Sequence, residues 1–292
     1  MDWMHYRKIY FAISTILIFV GIFSLLSWRL SLGVDFSGGS IAEYKFSGTF
    51  SNEEAVKKLE EEGIEVWDIE KVKENQYLLR LSPLENEAKE KLNRILSDIS
   101  KGKMEELRFE TVGPSIGPEL VKKTFYAIII ATSAILLWVA YQFRSVKFGA
   151  SAILAMLHDT FILIGSFSLF SHFLEAEVDF LFVTALLTTL SFSVHDTIVV
   201  YDRIRESQKK FGGELYDLAN KAVSETMVRS LNNSFTIIFM LVALILLGGE
   251  TIRWFAVALF VGTVLGTYSS PFVAVPILVT WDSLSKKIHF KK

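Results

Sequence analysis

No cysteine occurs among the 292 residues, which excludes disulfide frameworks, cysteine-based zinc sites and thiol nucleophiles together. Proline is scarce at five residues, and net charge is nearly absent, 30 basic side chains against 32 acidic ones. With no basic excess, no nucleic-acid partner is expected. What the chain has in quantity is hydrophobicity, 51% of residues. These residues gather into blocks near the ~20 residues needed to cross a ~30 Å hydrocarbon core. The chain therefore reads as an α-helical polytopic membrane protein.

The first block, Ile9 to Trp28, follows Arg7-Lys8 and is too long for a signal-peptide core of roughly 7–15 residues. No small-residue cleavage site follows, so the block reads as an uncleaved first span. Five more blocks come later: Thr124–Phe143, Ala150–Phe173, Asp179–Tyr201, Met227–Leu247 and Ile252–Trp281. The last contains Pro271 and Pro276 and over-spans a flat bilayer at ~1.5 Å per residue, so it must tilt, kink or split. That makes six spans. Span four should be central and packed on span five.

Between the first two spans the composition changes to that of a folded extramembrane domain. Strands are expected at Ile41–Phe46, Ile64–Glu70, Gln76–Leu81 and Glu105–Val112, and helices at Asn52–Glu62 and Leu84–Ser100. Ser51 with Glu54 makes a capping box, and Gly63 supplies the C-cap. Pro83 and Gly102 repeat the pattern around the second helix. The order βαββαβ is that of an α+β ferredoxin-like unit. The expected division is 1–28 for the N-terminus and first span, 29–121 for this domain, and 122–292 for spans two to six and the C-terminus.

Charge fixes an orientation. Arg7, Lys8, Arg144, Lys147, Arg203, Arg205, Lys209, Lys210, Lys221, Lys286, Lys287, Lys291 and Lys292 all fall on one side of the predicted spans. The opposite loops read FLEAEVD and GGET. The positive-inside rule then puts both termini in the cytoplasm and the βαββαβ domain outside it.

Two glycine-rich segments flank that domain. Gly33-Val-Asp35-Phe-Ser-Gly38-Gly39 invites comparison with a Walker loop, but Gly39 stands where the essential lysine belongs. A turn into the first strand is the simpler account. Gly113-Pro114-Ser-Ile-Gly117-Pro118 is its counterpart at the far end, a linker or hinge.

Ionisable residues inside spans carry the chemistry. Each costs roughly 2.5–3.5 kcal/mol to insert, and such residues mark pathways and relays. Asp196 lies seven residues before Arg203, about 10 Å inside that end of its span. Arg229 enters span five from the same side, so the two are expected to meet as an ion pair. Thr188, Thr189, Ser191, Ser193 and Thr197 on span four, with Asn232, Asn233 and Ser234 on span five, would keep the seam hydrated. An unperturbed imidazole titrates near pH 6.5, which makes His195 a candidate, but neighbouring helix residues point about 100° apart, so it need not share the face of Asp196. His158 and Asp159 form a similar doublet on span three, somewhat deeper. Neither a catalytic centre nor a metal or cofactor site is expected.

GVDFSGG, VGPSIGPEL, LHDT and HDTIVVYDRIRE together resemble the SecF family, the smaller members of bacterial SecD–SecF pairs within the resistance-nodulation-division (RND) superfamily. The resemblance covers nearly the whole chain. It implies a non-enzymatic, ion-driven accessory of the Sec protein translocase in a bacterial or archaeal inner membrane. SecD, the SecYEG channel, YidC, the translocating preprotein and membrane lipid would be its partners. The relay aspartate carries over to Asp196 and the relay arginine to Arg229; on the residues alone His195, Asp159, His158 and Thr197 are candidates for relay support. Where the family pattern more often reads Asn-Asp-Thr this chain has His195-Asp196-Thr197. Half of an RND-type exporter of a lipid or hydrophobic solute is the alternative.

Overall fold

The computed structural model describes all residues except 49, 101–103, 114–115, 144 and 290–292, and excludes the side chains of 250, 251 and 287–289. Gly102, Pro114, Arg144, Lys291 and Lys292 therefore lie outside the described residues, as does the side chain of Lys287. Contacts divide the chain into residues 32–126 and a helical unit of residues 1–31 and 127–292.

In the smaller unit, α2 (Val34–Ser37) is a single turn leading into β1 (Gly39–Phe46). Then come α3 (Asn52–Glu61), β2 (Val66–Lys73), β3 (Gln76–Leu81), α4 (Asn86–Ile99) and β4 (Met104–Val112). The strands form one antiparallel sheet in the order β2-β3-β1-β4. Ala42, Tyr44 and Phe46 of β1 and Leu79 and Leu81 of β3 point to one face, as the two-residue strand period demands. There they meet Leu59 of α3 and Leu92 and Leu96 of α4. Ser51 caps α3 by accepting from the Glu54 N–H. Gly63, at φ 81°, closes it while the Ile64 N–H returns to the Leu59 carbonyl at 2.9 Å, a Schellman ending. That ending delays β2 from the expected Ile64 to Val66. The start of α4 also moves, from Leu84 to Asn86, because Leu84 is drawn into the core and its N–H donates to Ser40 Oγ at 2.9 Å.

The glycine segments at the two ends of this unit touch. Gly38 and Gly39 have φ of 75° and 121°, and Gly39 pairs with Val112. A Cβ on Gly117 would stand 2.8 Å from the Phe36 carbonyl oxygen, so only glycine lets the start of α5 (Ile116–Phe143) approach the α2 turn.

Among the described residues six helices are long and apolar enough to cross a membrane: Trp3–Trp28, Ile116–Phe143, Val146–Leu174, Phe180–Phe211, Leu215–Leu247 and Ile252–Lys286. They correspond to α1 (Arg7–Trp28) with a preceding 3₁₀ turn, α5, α6 (Val146–Leu174), α7 (Phe180–Phe211), α8 (Leu215–Leu247), and α9 (Glu250–Ser269) joined to α10 (Val275–His289). The last pair is split by a π-helical turn, Ser270–Ala274. Pro271 has no N–H to give a regular ladder, and the wider turn absorbs the defect.

Close approach sets the helix contacts. Gly21 of α1 meets Gly165 of α6 so tightly that a Cβ on Gly165 would lie 2.4 Å from the Gly21 Cα. Gly262 and Gly266, four apart on α9, sit over Thr189 and Ser193 of α7 in the small-xxx-small manner. Consequently α7 is central, but its broadest contact is with α9 rather than α8. Both α7 and α8 run well past their apolar blocks, where Arg203 joins them through Glu225 at 2.5 Å. At that basic end Lys147 of α6 also binds Asp282 of α10 at 2.8 Å.

Candidate functional site: a buried polar column

Among the described residues two carboxylates are buried inside the helical unit. Asp159 of α6 is 6% exposed and Asp196 of α7 is 7% exposed. Helix period places Ser193 and Thr197 one turn apart on α7, flanking the face of Asp196. The π-helical turn and the end of α9 bring Ser270 and Ser269 against that same face.

Asp159 is fully engaged. Its Oδ1 lies 2.8 Å from His158 Nδ1, and its Oδ2 accepts from Ser193 Oγ at 2.5 Å and Ser269 Oγ at 2.6 Å. Asp196 is not. Its Oδ1 accepts from the Ser230 hydroxyl of α8, while the buried Oδ2 makes no hydrogen bond among the described residues. The Ser270 hydroxyl donates to the Gly266 carbonyl at 3.1 Å and lies 2.9 Å from Thr197 Oγ1, the residue after Asp196. Thr197 also donates to the Ser193 carbonyl, and Ser234 Oγ meets Thr267 Oγ1 at 2.6 Å beyond Ser230. Toward the basic end the column stops at Tyr201, whose hydroxyl lies 2.6 Å from Ser151 Oγ and donates to the Ala274 carbonyl.

The expected ion pair between Asp196 and Arg229 is not formed. Ser230 is the residue that reaches Asp196, and its neighbour Arg229 points about 100° away around the same helix. Arg229 is exposed and lines an open cavity of about 660 Å³ with Thr226, Asp202, Arg203, Glu206 and Glu225. Thr226 stands one turn from Ser230 and Val199 one turn from Asp196, so the cavity begins about one helical turn from that pair. At the other end, the gap beside Asp159 between Leu163, Leu186, Thr189 and Gly262 is too small for a water molecule. The larger cavity thus lies on the basic-end side of Asp196, whereas the gap beside Asp159 has no room for water.

His195 is exposed and turned away from Asp196, into a second cavity of about 410 Å³ lined by Ala134, Ile135 and Trp138 of α5 and by Val194 and Ile198. His158 is buried, and its Nε2 has no partner among the described residues. Asp35 is half-buried on the α2 turn with Gly33, Gly38 and Gly39, and Gly113, Gly117 and Pro118 begin the segment opposite. These signature residues belong to residues 32–126, not to the column. Sequence reasoning missed Ser230, Ser269 and Ser270. The one available signal was a run of small hydroxyl residues, Ser269-Ser270 before Pro271, inside an apolar span. Among the described residues no group of three or more His, Asp or Glu side chains converges to hold a metal ion.

Residues 91–284 match the family described as protein export membrane protein SecD/SecF, C-terminal. A protein translocase subunit SecF from Thermobaculum terrenum is 37% identical, covering 97% of this chain and 94% of the relative. One from Vibrio alginolyticus is 36% identical over 94% of this chain and 87% of the relative. The crystal structure of SecDF, a translocon-associated membrane protein from Thermus thermophilus, superposes with a TM-score of 0.83 at 33% identity. It covers 97% of this chain, whereas this chain spans 39% of that longer one. A second SecDF structure, in a super-membrane-facing form, gives a TM-score of 0.72 at 31% identity. With a matching family description over most of its length and relatives above 30% identity along nearly all of it, the chain belongs to the SecD/SecF family of protein-export membrane proteins.

Proposed function

We propose that this chain is an ion-driven accessory subunit of the Sec protein translocase, acting with SecD late in preprotein export alongside SecYEG and YidC. The observation that carries the reading is Asp196: a buried carboxylate in mid-span, with one oxygen unpartnered among the described residues, about one helical turn from Val199 and Thr226, which line a cavity at the basic end. A structural carboxylate would have both oxygens satisfied, as an unpaired buried acceptor costs about 1–3 kcal/mol. A carboxylate that takes up and releases an ion needs a free oxygen and a wet exit. Arg229, exposed in that exit, draws the released charge balance toward the cavity wall rather than holding Asp196 in a static bridge.

In this reading the basic end is cytoplasmic, both termini lie there, and residues 32–126 form a ferredoxin-like extracytoplasmic domain that moves as ions flow inward. The strand order β2-β3-β1-β4 is compatible with that domain type. One elementary charge crossing ~100 mV gains about 2.3 kcal/mol. That is enough to bias a two-state domain equilibrium more than tenfold. The reading is tested with Asp196→Asn in membranes containing SecD and the Sec channel. Assembly should persist and the gradient-dependent part of preprotein export should vanish; unchanged export would refute it.

A further inference from the structure

Asp159 and the serine doublet Ser269-Ser270 are not used by the function proposed above, yet they form the best-connected part of the column. The π-helical turn sends adjacent serines to two levels of the column: Ser269 donates to Asp159 at 2.6 Å, and Ser270 lies 2.9 Å from Thr197 Oγ1, the residue after Asp196. Depth orders them. Asp159 is twelve residues beyond Lys147, about 18 Å from that end, and Asp196 is about 10 Å from it. From Asp159 toward the basic end, the order is therefore Asp159, Ser193 with Ser269, Asp196, Thr197 with Ser270, and the cavity of about 660 Å³.

We infer that Asp159 is a second proton-accepting group in series with Asp196, and that the Ser269-Ser270 doublet couples the two so that they load alternately. The inference rests on Asp196 being an ion carrier. Chemistry selects a proton over a metal cation at Asp159. Its two oxygens already receive three donors, from His158, Ser193 and Ser269, and a sodium ion would have to displace them all. A proton displaces one. When a proton bonds to Asp159 Oδ2, that oxygen becomes a donor, and the Ser193 and Ser269 hydroxyls cannot both continue donating to it. The Ser269 O–H swings away, the turn shifts, and the Ser270 O–H can fill the vacant acceptor at Asp196 Oδ2. That contact favours Asp196 as a carboxylate, so its own proton leaves to water in the open cavity. One proton has then entered at Asp159 and one has left at Asp196, with no bond other than O–H made or broken. His158, within hydrogen-bond distance of Asp159 through Nδ1, has a buried Nε2 without a partner among the described residues.

The test uses the full chain with its SecD partner and the Sec channel in vesicles. Infrared difference spectra of protonated carboxyl groups are recorded on imposing a proton gradient, beside gradient-driven export. The wild type should show two carboxyl signals of opposite sign. Asp159→Asn should remove one and lower export at least tenfold, whereas Asp159→Glu should restore both in part. Ser269→Ala with Ser270→Ala should keep both signals but abolish their opposition. Wild-type export and an unchanged spectrum in Asp159→Asn would overturn the inference. If that variant fails to assemble, an unaltered pair of opposed signals in the double serine variant would overturn it instead. Normal export in Asp196→Asn would refute the underlying reading separately.

Discussion

The two units of the chain place polarity in opposite positions. Residues 32–126 bury Leu, Phe and Tyr and turn their charges outward; the buried Tyr44 hydroxyl is satisfied by Asn93 at 2.6 Å, and burial pushes its phenol well up, keeping it a neutral donor. The helical unit exposes Ile16, Phe19, Leu26, Phe239 and Leu247 and buries Asp159, Asp196, His158 and a set of hydroxyls. An apolar exterior is what a lipid solvent requires, and it removes the usual reason for burying a side chain. Polar groups kept inside such a bundle are costly, so their presence is a statement about function rather than about stability.

That contrast can be broken in graded steps. Leu96→Ala strikes the sheet unit's core and should cost about 2–5 kcal/mol, read as lost protease resistance of residues 32–126. In the helical unit the opposite sign is expected: Asp196→Leu with Ser230→Ala removes an under-satisfied polar pair and should leave thermal stability in detergent unchanged or raised, by as much as roughly 1–4 kcal/mol, while ending activity. A large fall in stability there would mean that the column is structural. Gly165→Ala forces a Cβ onto the Gly21 backbone and should cost about 1–3 kcal/mol, measured as a lower melting temperature. Tyr44→Phe should cost about 1 kcal/mol, the worth of one hydrogen bond.

The smallest effect concerns the N-terminus. Tyr216 donates to Asp2 at 2.7 Å and holds that carboxyl below its usual range, while Met4 is buried and its N–H donates to Asn220. A depressed carboxyl contributes stability above its unfolded pKa and loses it as pH falls through the folded one. Acidification below the ordinary aspartate range should therefore loosen this clip, seen as increased exchange of the Met4 amide, and Asp2→Ala should remove the pH dependence.

Much of this was readable beforehand. Hydrophobic blocks located all six spans, and Ser51, Gly63 and the alternation in β1 and β3 located the sheet unit's elements. The expected terminus of α4 failed because Leu84 was worth more to the core than to a helix turn. The site was readable one helix at a time. Asp159, Asp196 and Thr197 stand out as polar residues in apolar spans, and the angular offset of His195 followed from helix period alone. Which residue of α8 reaches Asp196 depends on the rotation of α8 against α7, and a single-residue difference exchanges Arg229 for Ser230. Ser269 and Ser270 face the column through the π-helical turn, whose extra residue per turn shifts every later side chain off the simple period.

The central claim is that Asp196 carries the ion. It is tested most directly by gradient-driven ion uptake into vesicles holding this chain and its SecD partner, compared between wild type and Asp196→Asn. The account predicts uptake at least tenfold above protein-free leak in the wild type and indistinguishable from leak in the variant, at equal melting temperature. Uptake that survives the substitution would contradict it.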